Sequence, residues 1–269
     1  MQLTGPGVWG PPKDHGEAIA VLRHAVELGV DLIDTADSYG PDVAEPLIYE
    51  ALHPYPEAVK IATKAGFTRP GPDEWVECGR PDYLRAQCES SLRRLGVDRI
   101  DLFQLHRIDP NVPAEDQFGT LKDLLEEGKV AEVGLSEVKV DQLEAARQII
   151  PVVSVQNHYN IANRTADALL SYCEEHRIGF IPWFPLASGK LSRPGGPLER
   201  VSAQVGATVS QVCLAWLLRR SSVMLPIPGT SSLGHLEENC AAADIQLTED
   251  QFQELTDARK ELRRWALSG

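Results

Sequence analysis

The sequence predicts a (β/α)8 barrel, and three observations carry that expectation. Short apolar, β-branched runs alternate with helical periodicities over most of the chain, which implies a parallel sheet covered on both faces. Polar, reactive side chains stand at the carboxyl ends of several of these runs, where a barrel builds its active site. No GxGxxG follows the first run, which weakens the case for a doubly wound open sheet. A length of 269 residues suits one such barrel, and a single domain over 1–269 is expected.

Taken in order, a Gly/Pro-rich start runs from Gly5 to Pro12. Asp14 can then cap a helix through Ala18, Ile19, Leu22, Ala25, Val26 and Leu28, which Gly29 stops. A strand over 30–35 precedes a helix over 43–52, and a strand over 59–64 leads into a Gly/Pro-rich loop over 66–81. Pro81 opens a helix to 95, since proline suits a first helical position. Strands are expected at 99–106, 131–136, 152–157, 179–183 and 223–226. Helices are expected at 114–127, 140–149, 164–176, 209–219 and 233–242, with a loop over 188–197. A last amphipathic helix, 249–263, has Thr248 as its cap. Only Met1-Gln2-Leu3 is available for a strand before the first helix, so either the chain start is trimmed or the barrel lacks most of its first strand.

Composition narrows the function. A formal charge of -13 argues against a nucleic-acid partner, which needs a basic face. No apolar stretch reaches the roughly 18 residues of a membrane helix, and no basic-then-apolar signal pattern opens the chain, so no membrane partner is expected. The five cysteines include no CxxC pair, which speaks against a disulfide framework or a thiolate metal site and for a cytoplasmic setting.

Four reactive residues end successive strands. Asp34-Thr-Ala-Asp-Ser-Tyr39-Gly40 follows the first, Lys64 ends the second and His106 the third. A tyrosine, with a free pKa of about 10, donates protons poorly at neutral pH unless its surroundings are tuned. An adjacent ammonium lowers that pKa by stabilising the phenolate, a carboxylate holds the ammonium charged, and an imidazole can orient a substrate oxygen. Any of the four alone could be a cap, a solvated strand end or rim packing. Together, around one barrel mouth, they form a candidate site.

These motifs resemble those of the aldo-keto reductase family. Gly29-Val-Asp-Leu-Ile-Asp-Thr-Ala-Asp-Ser-Tyr-Gly40 looks like its signature, and Ile61-Ala-Thr-Lys64 and Leu105-His106 are similar to its next active-site strands. Leu225-Pro-Ile-Pro-Gly-Thr-Ser-Ser232, continuing to Glu238-Asn239, resembles the cofactor-adenosine segment, and the likeness covers about 1–258. Pro11-Pro-Lys-Asp14, Gly134-Leu-Ser-Glu-Val138 and Pro182-Trp-Phe-Pro-Leu186 are most similar to short bacterial members that include pyridoxal reductases.

The resemblance implies NADPH-dependent reduction of an aldehyde or ketone without a metal. Tyr39 would protonate the oxygen, Lys64 and Asp34 would tune it, and His106 would orient the carbonyl. Ser136 and Gln156 would bond the nicotinamide carboxamide and Trp183 would stack on its ring. Leu186, Ser188 and Lys190 would follow the pyrophosphate. Gly229, Thr230, Ser231, Ser232 and His235 would face the 2'-phosphate, and Glu238 and Asn239 the adenine. Two departures stand out. Ser136 is followed by Glu137 rather than asparagine, and the Lys and Arg that longer members use for the 2'-phosphate are Gly229 and His235 here, which leaves NADH open. Trp9, Phe67, Trp75 and Phe184 are expected as substrate walls. A cofactor-binding regulatory subunit is the alternative, and a lyase using Lys64 as a Schiff-base amine is a weaker one.

Overall fold

The computed structural model describes residues 3–186 and 196–267. It divides into two compact units, Met1–Val155 with Gly229–Leu236 and Gln156–Pro228 with Glu237–Gly269. In the first, Asp14 caps α1 (His15–Glu27) by accepting from the Glu17 amide at 2.9 Å. Then follow β1 (Leu32–Asp34), α2 (Ala44–Leu52), β2 (Lys60–Ala65), a hairpin of β3 (Phe67–Thr68) and β4 (Val76–Glu77), and α3 (Pro81–Leu95). The unit continues through β5 (Ile100–Leu105), α4 (Ala114–Glu126), β6 (Val130–Ser136), α5 (Val140–Arg147) and β7 (Val152–His158), whose last residues enter the second unit.

The second unit holds α6 (Asp167–His176), β8 (Gly179–Trp183), α7 (Pro197–Val205) and α8 (Val209–Arg220). Later come α9 (Leu233–Ala241), α10 (Glu249–Asp257) and α11 (Arg259–Leu267). The parallel sheet runs β1-β2-β5-β6-β7-β8, in chain order, as consecutive βα units require. This is the fold class the alternation predicts, a (β/α)8 barrel with its first strand partial. Ahead of α1, the described residues hold one parallel bridge, Trp9 to Gly40, and a buried Leu3.

Three expected elements come out differently, and one helix is additional. The strand at 223–226 is a single bridge in which Phe180 N donates to Val223 O and Leu225 N to Phe180 O, both at 2.8 Å. Pro226 and Pro228 have no N–H with which to extend that ladder. The loop over 66–81 contains the β3–β4 hairpin. Helix α7 was not expected, although Pro197 at its start and Gly206 beyond its end mark it and Leu198 and Val201 are buried. The last helix is two, with Ala258 between them and the Thr248 cap as expected. Among the described residues no single helix is long and apolar enough to cross a membrane.

Behind the strand ends lies a buried charged cluster. Glu45, on α2, accepts from Thr63 Oγ1 at 2.6 Å and from Arg94 Nε at 2.5 Å, and Arg94 Nη1 reaches Asp42 at 2.7 Å. Asp37 shares this region, and its Oδ1 is buried without a hydrogen-bond partner. Burial, reinforced by the Glu45 carboxylate, pushes the Asp37 carboxyl up to about 8. A carboxyl raised on folding contributes stability that is complete below its unfolded pKa and is lost as pH rises through its folded pKa. The window here runs from 3.8 to about 8. Asp37→Asn, a neutral mimic, removes that dependence. Its melting temperature relative to wild type should climb by about 4 °C or more between pH 5 and pH 8.5 in thermal unfolding. A difference that stays constant across this range would contradict the ionisation.

Candidate active site

Strand register decides which side chains meet. In β1, β2 and β5, Asp34 pairs with Ala62 and Lys64 with Gln104. Side chains alternate along a strand, so Asp34, Lys64 and Gln104 share one face, and His106 continues it two residues beyond Gln104. The His106 amide donates to Ala65 O at 2.8 Å, which ties that strand end to its neighbour.

Lys64 is fully buried. Its Nζ donates to Asp34 Oδ2 at 2.7 Å and to Thr35 O at 2.6 Å, and it stands 5.0 Å from the Tyr39 ring centroid. Gln104 Nε2 donates to the other Asp34 oxygen at 3.3 Å. Burial on its own lowers an ammonium pKa, but Asp34 and then Tyr39 outweigh it and hold Lys64 above its ordinary value. An ammonium has no lone pair, so this environment disfavours a Schiff-base role. Gln104 was missed in the sequence, although a polar residue inside the apolar run Leu102-Phe-Gln-Leu105 is the signal that marks it.

The tuning of Tyr39 differs from the expectation. Its pKa is raised, because burial outweighs the opposing pull of Lys64. The ammonium limits the rise without reversing it. Tyr39 therefore keeps its proton at neutral pH and has a cation beside it to receive the phenolate. Burial also holds His106 well below the usual imidazole range, helped by Lys64, Arg107 and Arg69, so it is neutral. Its Nδ1 lies 3.4 Å from Ser38 Oγ, and when Nδ1 accepts there, Nε2 carries the hydrogen. The Tyr39 and His106 rings are 5.9 Å apart, edge to face.

Aromatic walls surround this pair. Phe67 lies 4.8 Å from the His106 ring, and Trp75 lies 6.4 Å from Tyr39 and 6.2 Å from His106. Arg69 gathers the wall loops. It donates to Gly7 O and Ser38 O at 2.8 Å, to Val8 O at 3.1 Å and to Glu74 O at 2.8 Å, while stacking 3.6 Å over Trp75 and 5.6 Å from Trp9. Gly66, directly after β2, has φ +136°, and a Cβ there would stand 3.2 Å from Arg107 N. Only glycine lets the chain turn that closely against the His106 strand end.

Ser136 ends β6, buried, with Arg107 Nη1 donating to its Oγ at 3.0 Å. Having accepted that bond, the hydroxyl is left to donate its own hydrogen elsewhere. Glu137 follows with φ +54°, a left-handed conformation that asparagine adopts more readily. Of the residues expected near the 2'-phosphate, Ser232 N donates to Thr230 Oγ1 at 3.1 Å, and the hydroxyls gather at the start of α9. Ser231 shares a cavity of about 690 Å³ with Lys13, Thr4 and the Gly5–Val8 loop. Lys13 makes no ion pair among the described residues. Gly229 and His235 are exposed.

In the second unit, Gln156 is buried on β7, and Trp183 stacks on His158 at 4.4 Å. Phe184, expected as a wall, is 43% exposed and lies 5.6 Å from His158. Thr208 Oγ1 donates to the Glu238 carboxylate, and Asn239 Nδ2 donates to Pro228 O at 3.4 Å. Leu186 is the last residue described before 196, and Ser188 and Lys190 lie outside the described residues.

Comparisons with known proteins identify the family. The family model described as "Aldo/keto reductase family" matches residues 1–260. An uncharacterised oxidoreductase of Schizosaccharomyces pombe is 53% identical over 260 residues, covering 97% of this chain and 85% of that protein. Pyridoxine 4-dehydrogenase of Escherichia coli is 42% identical over 267 residues, covering 97% and 93%. Among solved structures, a thermostable aldo-keto reductase with the inhibitor epalrestat superimposes with a TM-score of 0.84 at 29% identity, covering 96% of this chain and 95% of that one. An aldo-keto reductase from Klebsiella pneumoniae in complex with NADPH gives 0.80 at 26% identity, covering 96% and 90%. The relatives include a fungal protein, so the resemblance holds for the family and is not confined to a bacterial branch. The family match over residues 1–260, with relatives 53% and 42% identical, places the chain in the aldo/keto reductase family of oxidoreductases.

Proposed function

We propose that the chain reduces an aldehyde or ketone to an alcohol with NADPH, Tyr39 acting as the proton donor. One observation carries this reading: a protonated Tyr39 stands beside a neutral His106 and a Lys64 ammonium that Asp34 holds in place. When bound, NADPH supplies the hydride that goes to the carbonyl carbon. Tyr39 and His106 hold the carbonyl oxygen between them, as an oxyanion site would. As negative charge grows on that oxygen, Tyr39 Oη gives it a proton, and the alcohol results. Lys64 stabilises the phenolate until it is reprotonated, and Asp34 and Thr35 O keep the ammonium fixed.

The donors present suit the cofactor. Ser136 has a hydrogen free for a carboxamide oxygen, and Gln156 brings a buried amide from β7. Trp183 supplies an aromatic surface, and Leu186, Ser188 and Lys190 would follow the pyrophosphate. The start of α9 offers Gly229, Thr230, Ser231, Ser232 and His235 to a phosphate. Lys13, which lines the same cavity as Ser231 together with Asp14 and Glu17, would provide a cation where Gly229 and His235 do not. Glu238 and Asn239 would hold the adenine, the former through a carboxylate already bonded to Thr208. The K. pneumoniae complex supports NADPH, and the E. coli relative supports a pyridoxal-like substrate. The family match over 1–260 supports one functional domain, and five free cysteines fit a cytoplasmic setting.

Loss of reduced-nicotinamide absorbance with pyridoxal or 4-nitrobenzaldehyde tests the activity. Tyr39→Phe should lower kcat by about 10²- to 10⁴-fold. Turnover equal to wild type would refute the mechanism, and tight NADPH binding with no turnover on a broad carbonyl panel would mark a regulatory subunit instead. For the cofactor, Lys13→Met should weaken NADPH binding about two- to fivefold, as an exposed cation implies. NADH binding should hardly change, with both read from protein fluorescence quenching. An equal effect on the two nucleotides would remove Lys13 from 2'-phosphate recognition.

A further inference from the structure

Arg107 follows His106 directly, and the proton-delivery chemistry does not use it. Its Nη1 donates to His106 O at 2.7 Å and to Ser136 Oγ at 3.0 Å, which engages both hydrogens of that nitrogen. Nε and Nη2 make no hydrogen bond or ion pair among the described residues. The remaining edge is the side-on fork of the guanidinium, two parallel N–H groups that match paired oxygens. The guanidinium carbon stands 5.3 Å from the Phe67 ring centroid, and that ring is 4.8 Å from His106. The fork therefore belongs to the aromatic cluster around the proton-delivering pair. Burial lowers the Arg107 pKa, and the carboxylates whose charge opposes that shift are Glu137 and Glu77. Around His106 the charges that act are cationic: Lys64, Arg107 and Arg69.

We propose that Arg107 is a specificity-determining residue that binds an oxyanion carried by the substrate. The preferred substrates are then aromatic aldehydes bearing a carboxylate or an ionised ring hydroxyl, the ring lying against Phe67 and Trp75. This rests on the carbonyl-reductase reading and names the substrate class for the same site.

The test uses pairs matched in shape and different in charge. The 2-, 3- and 4-carboxybenzaldehydes are compared with the corresponding nitrobenzaldehydes, and salicylaldehyde with 2-methoxybenzaldehyde at a pH that ionises the hydroxyl. Wild type, Arg107→Gln and Arg107→Lys are assayed. In Arg107→Gln the KM of the best carboxylate or phenolate substrate should rise at least about tenfold more than that of its neutral partner, with little difference in kcat. Arg107→Lys should recover part of the loss. A loss confined to the carboxylates, or to the phenolate, identifies which oxyanion is read. Equal changes for charged and neutral partners, or none, would overturn the proposal. Tryptophan fluorescence quenching by the carboxybenzyl alcohols, with and without NADP+, reads binding without turnover. Should wild type reduce no aldehyde at all, the reductase reading fails by itself, and the quenching still decides whether Arg107 holds the anion. Weaker binding in Arg107→Gln supports it, and unchanged binding overturns it.

Discussion

Lys64 carries an ammonium to a place that water does not reach, and the surrounding chain is arranged to keep that charge. Asp34 and Thr35 O take up its hydrogens at 2.7 and 2.6 Å, and Gln104 holds the second Asp34 oxygen. Removing one partner of such a pair leaves an uncompensated buried charge, at a cost of about 3–5 kcal/mol. The three strands that bring these groups together are therefore bound by register as well as by packing. A slip of one residue in β2 would turn Lys64 away from Asp34 and bring Thr63 or Ala65 to its face instead.

From this pair the electrostatics of the site follow. Tyr39 stays protonated because burial dominates, and the ammonium beside it prevents its acidity from being lost altogether. His106 is neutral because its own burial, and after it three cations, disfavour another positive charge. In the proposed reaction a neutral imidazole would donate a hydrogen bond without competing with Tyr39 for the role of acid. The same cations make the pocket a place for anions, and Arg107, fixed by His106 O and Ser136 on one side, is the cation with a free fork. Arg69 serves differently, since its donors are spent on backbone carbonyls of the loops that bear Trp9 and Trp75.

Much of this was legible in the sequence, for identifiable reasons. Helix ends with strong chemistry, such as Asp14, Pro81 and Thr248, were placed correctly because a cap or a ring-locked φ acts locally. Asp34, Tyr39, Lys64 and His106 were visible because reactive groups at successive strand ends share a barrel mouth. The hairpin at Phe67–Thr68 and Val76–Glu77 was hidden, since two-residue strands leave no periodicity to read. Arg69 and Arg107 were hidden because their roles depend on partners 31 and 29 residues away, whereas Gln104 carried a signal as a polar residue inside an apolar run. The direction of the Tyr39 shift was misjudged because a pairwise argument about the ammonium left out burial, the larger effect.

The central claim is that Asp34 keeps Lys64 charged in the protein interior. Lysine labelled with nitrogen-15 allows the Lys64 Nζ signal to be followed by NMR as pH is raised. Wild type should show an ammonium at neutral pH and well into the alkaline range. In Asp34→Asn the same nitrogen should lose its proton at distinctly lower pH. A neutral amine at Lys64 in wild type at pH 7 would contradict the account.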